Sequence, residues 1–375
     1  MNDRLTDIIA RETDGKSCKA QKYSLDYDSQ EYPQEETPKI WKKSAESSPR
    51  KKYIDLRSIS RNLLHSDSQR LTYFLDGSRR VFKVDEIAYE HKKGKRIIYP
   101  IAAGQIGAGC CRRENRKLIP EKFIHETVIA LPEIADSDGV PGFFPSIAIK
   151  LNENPVIKRM GIKISSVLSY KTDRTGESLE DKATAAIQTR MLECEKELTE
   201  QIARHLGHMN YLVKDGSLEY RKKSQTAPQN YRWVLGVSKT FNPYACFQDG
   251  REDPGYIAEL PAYHRTQAAC FSNPGFLGDI EFAVWYIRLH ERTRTRSAFD
   301  GVVKVEKMLV TQSEREQGIM DSEEIDILSA YILNERCPVC YGNDSRWASH
   351  IYPVYLTEKY IKSKYISTES FLHLF

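Results

Sequence analysis

The chain has 375 residues, 40% of them apolar, a globular composition with material for one large core or two smaller ones. Lys and Arg total 56 against 52 for Asp and Glu, so a net charge of +4 does not announce a nucleic-acid binder, and any such role must come from local charge. The sequence has no apolar run of the length a membrane span needs and no basic segment leading into an apolar one at its start, and its eight cysteines are scattered, so a cytoplasmic protein with reduced thiols is expected.

Residues 1 to 50 are polar and charged, with Ile8, Ile9 and Trp41 as apolar anchors, and read as a loosely packed arm. Ile54, Leu56, Ile59, Leu63 and Leu64 then have roughly helical spacing. Leu71-Thr-Tyr-Phe-Leu75-Asp76-Gly77-Ser78 reads as a buried strand ending in a tight turn with a carboxylate at its tip. Alternation over Arg79 to Val84, then the runs 96–103 and 123–131, predict an antiparallel meander. Gly104, Gly107 and Gly109 have the order G-x-x-G-x-G, which is not the dinucleotide fingerprint. Residues 132 to 177 read as an irregular connection or an insertion.

Ser178 to Asp181 has the sense of a capping box and opens the clearest helix, with Ile187, Met191, Cys194, Leu198, Ile202 and Leu206 as its apolar stripe. Arg190, Glu193, Glu197, Glu200 and Arg204 share a neighbouring face. That helix delivers the chain directly into Tyr211-Leu-Val-Lys-Asp215-Gly-Ser, a second strand with the ending seen at Asp76. Two strands that stop in Asp-Gly-Ser can bring two carboxylates together, and such a pair shifts its pKa values or binds a cation. A strand over 231–239 ends in Ser238 and Lys239, the segment 276–289 reads as a strand pair or core segment, Val302 to Glu306 as a strand, and Glu323 to Leu333 as a helix before the tail at Ser349-His350-Ile-Tyr-Pro.

In this order, the Leu-Asp76-Gly-Ser strand, the helix with Arg190-Met-Leu-Glu193, Lys214-Asp215-Gly-Ser-Leu218, Leu235-Gly-Val-Ser-Lys239, Val303-Lys-Val-Glu306 and Ser349-His350-Ile-Tyr-Pro resemble the motifs of the NurA nuclease family. The resemblance implies an α/β fold: an RNase H-like mixed sheet with flanking helices and extra C-terminal elements, spanning 51–375. It also implies a Mn2+- or Mg2+-dependent DNA nuclease, a homodimer, and partnership with a hexameric HerA-like translocase ATPase in DNA end processing or defence against foreign DNA. Asp76, Asp215 and Glu193 match the metal-binding acids of that family, Lys239 its lysine after the following strand, and His350 its late histidine. Glu195, Glu197 and Glu200 share the helix, so the ligand position is open by a turn, and Lys214 puts a charge where an apolar residue is expected.

Phosphodiester cleavage needs an activated water, an in-line approach and stabilised charge on both the attacking and leaving oxygens, which two divalent ions about 4 Å apart provide. Carboxylates suit such hard ions. Lys239 is then expected to contact a phosphate oxygen, and His350 to position water or protonate the leaving oxygen. Basic clusters for the DNA backbone are Arg79 and Arg80 with Lys92, Lys93, Lys95 and Arg96; Arg112, Arg113, Arg116 and Lys117; Arg221, Lys222 and Lys223; and Arg288, Arg292, Arg294 and Arg296. The first and third lie near the two Asp-Gly-Ser segments. Cys337-Pro-Val-Cys340 has half the spacing of a zinc site and lacks a second pair nearby. No phosphate loop ending in Lys-Ser or Lys-Thr is present, so ATP hydrolysis is not expected of this chain. The rival expectations are another RNase H-like phosphoryl-transfer enzyme, such as a recombinase or resolvase, and a catalytically silent dimeric adaptor of the ATPase.

Overall fold

Alternating apolar residues between Leu71 and Pro132 produce three long strands, β1 (Leu71–Glu90), β2 (Arg96–Glu114) and β3 (Lys117–Pro132), paired as an antiparallel meander. The structure is a computed structural model that describes residues 4–26, 39–42, 44–48, 51–65, 69–90, 95–136, 139–173, 176–219, 227–248, 251–272, 280–340 and 346–375. The first Asp-Gly-Ser is not a strand end. Gly77 pairs with Ala108 and the ladder runs on through Ser78 and Arg79, so the alternation after Asp76 continues the same strand.

The second Asp-Gly-Ser is a strand end. β4 (Tyr211–Asp215) stops at Gly216, whose φ of +84° suits a residue without a Cβ and whose N–H donates to the Val237 carbonyl at 3.0 Å. β4 lies parallel to β1, and β5 (Val234–Ser238) parallel to β4, giving the order β3-β2-β1-β4-β5 with the first three antiparallel. This is the order of an RNase H-like core. The sheet continues antiparallel from β5 through β7 (Val302–Leu309) and β6 (Glu281–Arg288) to the strands Ala269–Ser272 and Ile40–Lys42. At the other edge Ile164–Tyr170 runs parallel to β3, so the 132–177 segment carries its own strand as well as the helices Phe143–Asn152 and Pro155–Met160.

Helix α1 (Leu179–Ile202) is capped by the Ser178 hydroxyl, and its predicted stripe packs on Leu75, Ile106 and Leu212 of one sheet face. Two helices, α2 (Ser322–Asn334) and α3 (Tyr352–Lys362), cover the opposite face, where Phe74, Val213 and Val237 meet Leu328, Ile332 and Val354. The first part of the N-terminal segment, residues 4–26, is packed rather than loose. Leu5, Ile8 and Ile9 line one side of the helix Leu5–Glu12 and join Phe82, Leu151 and Phe371 in a third cluster, while Lys16–Ser17 and Tyr23–Ser24 pair with β1.

β7 pins the turn after Asp215. In the wholly buried Glu306 carboxylate, Oε2 accepts from the Ser217 hydroxyl at 2.7 Å and the Leu218 N–H at 2.9 Å, and Oε1 lies 2.6 Å from the Lys304 ammonium in an ion pair. Burial opposes its charge, yet Lys304 and Lys39 outweigh burial and bring its pKa down to about 2. A carboxylate whose pKa is lowered by folding contributes stability that is complete above the unfolded value and lost as pH falls through about 2. The shift corresponds to roughly 3 kcal/mol. Glu306→Gln is therefore expected to destabilise the protein by about that amount at pH 7, with the gap to wild type narrowing below pH ~4.5. Denaturant titrations between pH 2 and 7 check this, and a gap that ignores pH would remove the charge from the account.

Candidate functional site

Register brings the two aspartates together. Leu75 on β1 faces Lys214 on the parallel β4, so the residues that follow, Asp76 and Asp215, are neighbours across adjacent strands. Strand alternation puts them on the face of Phe74 and Val213, beneath α3. Lys239, one residue past β5, places its ammonium 3.1 Å from Asp215 Oδ2. Asp76 is 4% exposed; its Oδ1 accepts from the Gly77 N–H at 2.7 Å, and its Oδ2 is buried with no hydrogen-bond partner among the described residues.

The helix glutamate in this cluster is Glu195, not Glu193. Two residues along a helix turn the side chain most of the way to the opposite side, and Glu193 lies with its side chain 57% exposed, 3.1 Å from Arg190 on the outer surface. Glu195 is buried and its carboxylate lies 2.7 Å from the Lys214 ammonium, itself 2% exposed. Gly77 makes this approach possible, since a Cβ there would overlap the Glu195 carboxylate. Lys214 also donates to the Asp215 carbonyl at 2.8 Å, so the charge that breaks the apolar pattern of β4 binds the helix acid to the strand end.

Two further groups complete the surroundings. Glu358 on α3, paired with Lys362 at 2.7 Å, adds its charge to those felt by Asp76 and Lys239. Chain order gave no pointer to it, because 349–358 reads as a tail, although Val354 and Ile361 have the spacing of a buried helical face. His350 is buried, its ring 5.4 Å from that of Tyr355, and these two line a narrow recess with Asp215 and Lys239. The structure thus gathers Asp76, Asp215, Lys239 and His350, and adds Glu195, Lys214 and Glu358.

Crowding dominates the electrostatics. Burial, then the charge of Asp215, pushes Asp76 well above the usual carboxylate range, with Lys239 opposing. Burial also raises Glu195 against the pull of Lys214. For Lys214 and Lys239 burial acts to lower the pKa, but the surrounding carboxylates outweigh it and both are raised. Glu358 is lowered: burial acts upward, and Lys239 and Lys362 prevail.

A divalent ion suits part of this arrangement. The Asp76 oxygen beside Asp215, without a partner among the described residues, is a hard donor. Among the described residues, however, no three His, Cys, Asp or Glu side chains gather closely enough to enclose an ion, at the aspartates or at Cys337 and Cys340. The donors that fit are a pair.

The described members of the basic clusters engage separate partners. Arg79 is half-buried 3.6 Å from Asp26, and Arg80 lies over the Tyr365 ring and donates to the Ile366 carbonyl. Arg112 and Arg113 are ion-paired with Glu121 and Glu335, and Arg288 is buried against main-chain carbonyls. Arg292, Arg294 and Arg296 lie on the β6–β7 connection, with Arg294 over Trp347 near the His350 loop. Arg221, Lys222 and Lys223, like Lys92 and Lys93, lie outside the described residues. Among the described residues no helix is long and apolar enough to cross a membrane.

No protein-family profile and no curated protein matches this chain. Among solved structures, the crystal structure of the NurA nuclease from Sulfolobus solfataricus is similar over 81% of this chain and 82% of that one, with a TM-score of 0.41 and 10% sequence identity.

The two glutamates are expected to separate cleanly in stability. Glu195→Ala leaves the Lys214 ammonium buried and unpaired, at a cost of about 3–5 kcal/mol. Glu193→Ala on the exposed face changes stability by about 0.5 kcal/mol or less. Urea denaturation of the two variants measures this, and equal effects would refute the placement of Glu195.

Proposed function

We propose that the chain is a divalent-metal-dependent DNA nuclease of NurA type, working as a homodimer with a HerA-like translocase ATPase in DNA end processing or defence against foreign DNA. The observation that carries this reading is the buried carboxylate oxygen of Asp76, unpartnered among the described residues, beside Asp215 on neighbouring parallel strands of an RNase H-like core. Leaving such an oxygen without a partner is costly in a stable fold, and sites that tolerate this cost are enriched in function.

Asp76 and Asp215 would hold Mn2+ or Mg2+, which when bound supplies positive charge to the phosphodiester and acidifies water. The remaining tasks fall to the chain itself. Lys239 holds Asp215 in place and offers its ammonium to a nonbridging phosphate oxygen, the role for which a charged, fixed donor is worth most in a water-poor site. His350, on the wall of the same recess, would hold a proton for the leaving oxygen. Glu358 balances the lysines from the helix side.

One observation favours a second reading. Lys214 and Lys239 already neutralise two of the acids, as they would in a silent adaptor that keeps the fold without the chemistry. Cleavage of linear single- and double-stranded DNA in Mn2+, Mg2+ or EDTA decides between them. Metal-dependent cutting is expected, reduced by about 100-fold or more in Asp76→Asn and Asp215→Asn. Activity unchanged in both variants would remove these aspartates from the mechanism, and silence of the wild type even with a HerA-like ATPase would leave the adaptor.

A further inference from the structure

Resting on the nuclease reading of this site, we infer that it takes one divalent cation per chain, at Asp76 and Asp215, and that the Lys214 ammonium stands in place of a second ion at Glu195. Glu195 lies behind Gly77 with its carboxylate already engaged by Lys214 at 2.7 Å. The lysine is fixed by a second acceptor, the Asp215 carbonyl at 2.8 Å, and is 2% exposed. An ion binding to Glu195 would have to displace a buried ammonium that would then lack its carboxylate.

Charge balance points the same way. Asp76, Asp215, Glu195 and Glu358 face the ammonium groups of Lys214, Lys239 and Lys362, a surplus of one negative charge when all are ionised. One divalent ion turns that surplus into a single positive charge, which matches a phosphodiester carrying a single negative one. Two ions would leave an excess of three positive charges. Coordination through two carboxylates, with water and substrate oxygens completing the shell, is ordinary for Mg2+ and agrees with the absence of a three-ligand cluster among the described residues.

Binding of Mn2+ to the full-length, EDTA-stripped protein, followed by the electron paramagnetic resonance signal of the free ion, tests this without any cleavage assay. One ion per chain is expected for the wild type and none for Asp76→Asn. Lys214→Met releases Glu195 as a ligand and is expected to take two ions. If that variant does not fold, the double variant Lys214→Met/Glu195→Gln, which removes both charges of the pair, is expected to fold and take one. Two ions in the wild type, a folded Lys214→Met that still takes one, or loss of the ion in the double variant each overturns the inference while leaving the nuclease reading intact. A wild type that takes no ion, or takes it equally in Asp76→Asn, overturns both.

Discussion

Two carboxylates on neighbouring parallel strands repel each other, and burial deepens the repulsion because water no longer screens it. Asp76 and Asp215 stand in that relation, and much of the surrounding structure supplies positive charge to them. Lys239 reaches Asp215 from the end of β5. Lys214 comes from β4 itself and would add its own burial cost, so α1 delivers Glu195 to meet it through the gap left by Gly77. The helix, the glycine and the two lysines are thus answers to one constraint set by strand register.

The same constraint reaches into the far half of the sheet. Asp215 ends its strand, so its direction depends on the turn that follows, and Glu306 on β7 holds that turn through the Ser217 hydroxyl and the Leu218 N–H. Antiparallel pairing of β7 with β5 sets Glu306 opposite Gly236 and Lys304 opposite Ser238, next to Lys239. Elements beyond the five-stranded core therefore help to aim a residue within it. The alternating run from Val302 to Glu306 marks the strand, but not this duty, because nothing in local spacing says which turn a buried acid will meet.

What the sequence showed depended on how local the signal was. Asp76 and Asp215 were visible because Asp-Gly-Ser closes an apolar run in both places, although the first lies within a long strand whose ladder overrides the turn chemistry of Gly77. The α1 stripe was visible from its period. Glu358 was not, since Tyr352–Lys362 mixes aromatic, basic and apolar residues and its buried face, Val354, Thr357 and Ile361, is narrow. The N-terminal helix was missed for a similar reason: three apolar residues among charged neighbours form a stripe only when a third cluster exists to receive them.

Lys214 carried more information than its position in a pattern suggests. A lysine between Val213 and the end of a central strand is buried by the sheet, and a buried ammonium persists only with a carboxylate beside it. The sequence therefore contained a demand for an acid before any fold was known. Of the helix glutamates, Glu193, Glu197 and Glu200 lie outside the apolar stripe, while Glu195 falls four residues after Met191 and three before Leu198, inside it. An acid misplaced on an apolar helix face and a base misplaced on an apolar strand are each unfavourable alone, and mutual pairing is what makes both tolerable. Here the two anomalies identify each other, and they do so at the edge of the carboxylate pair that gives the site its chemistry.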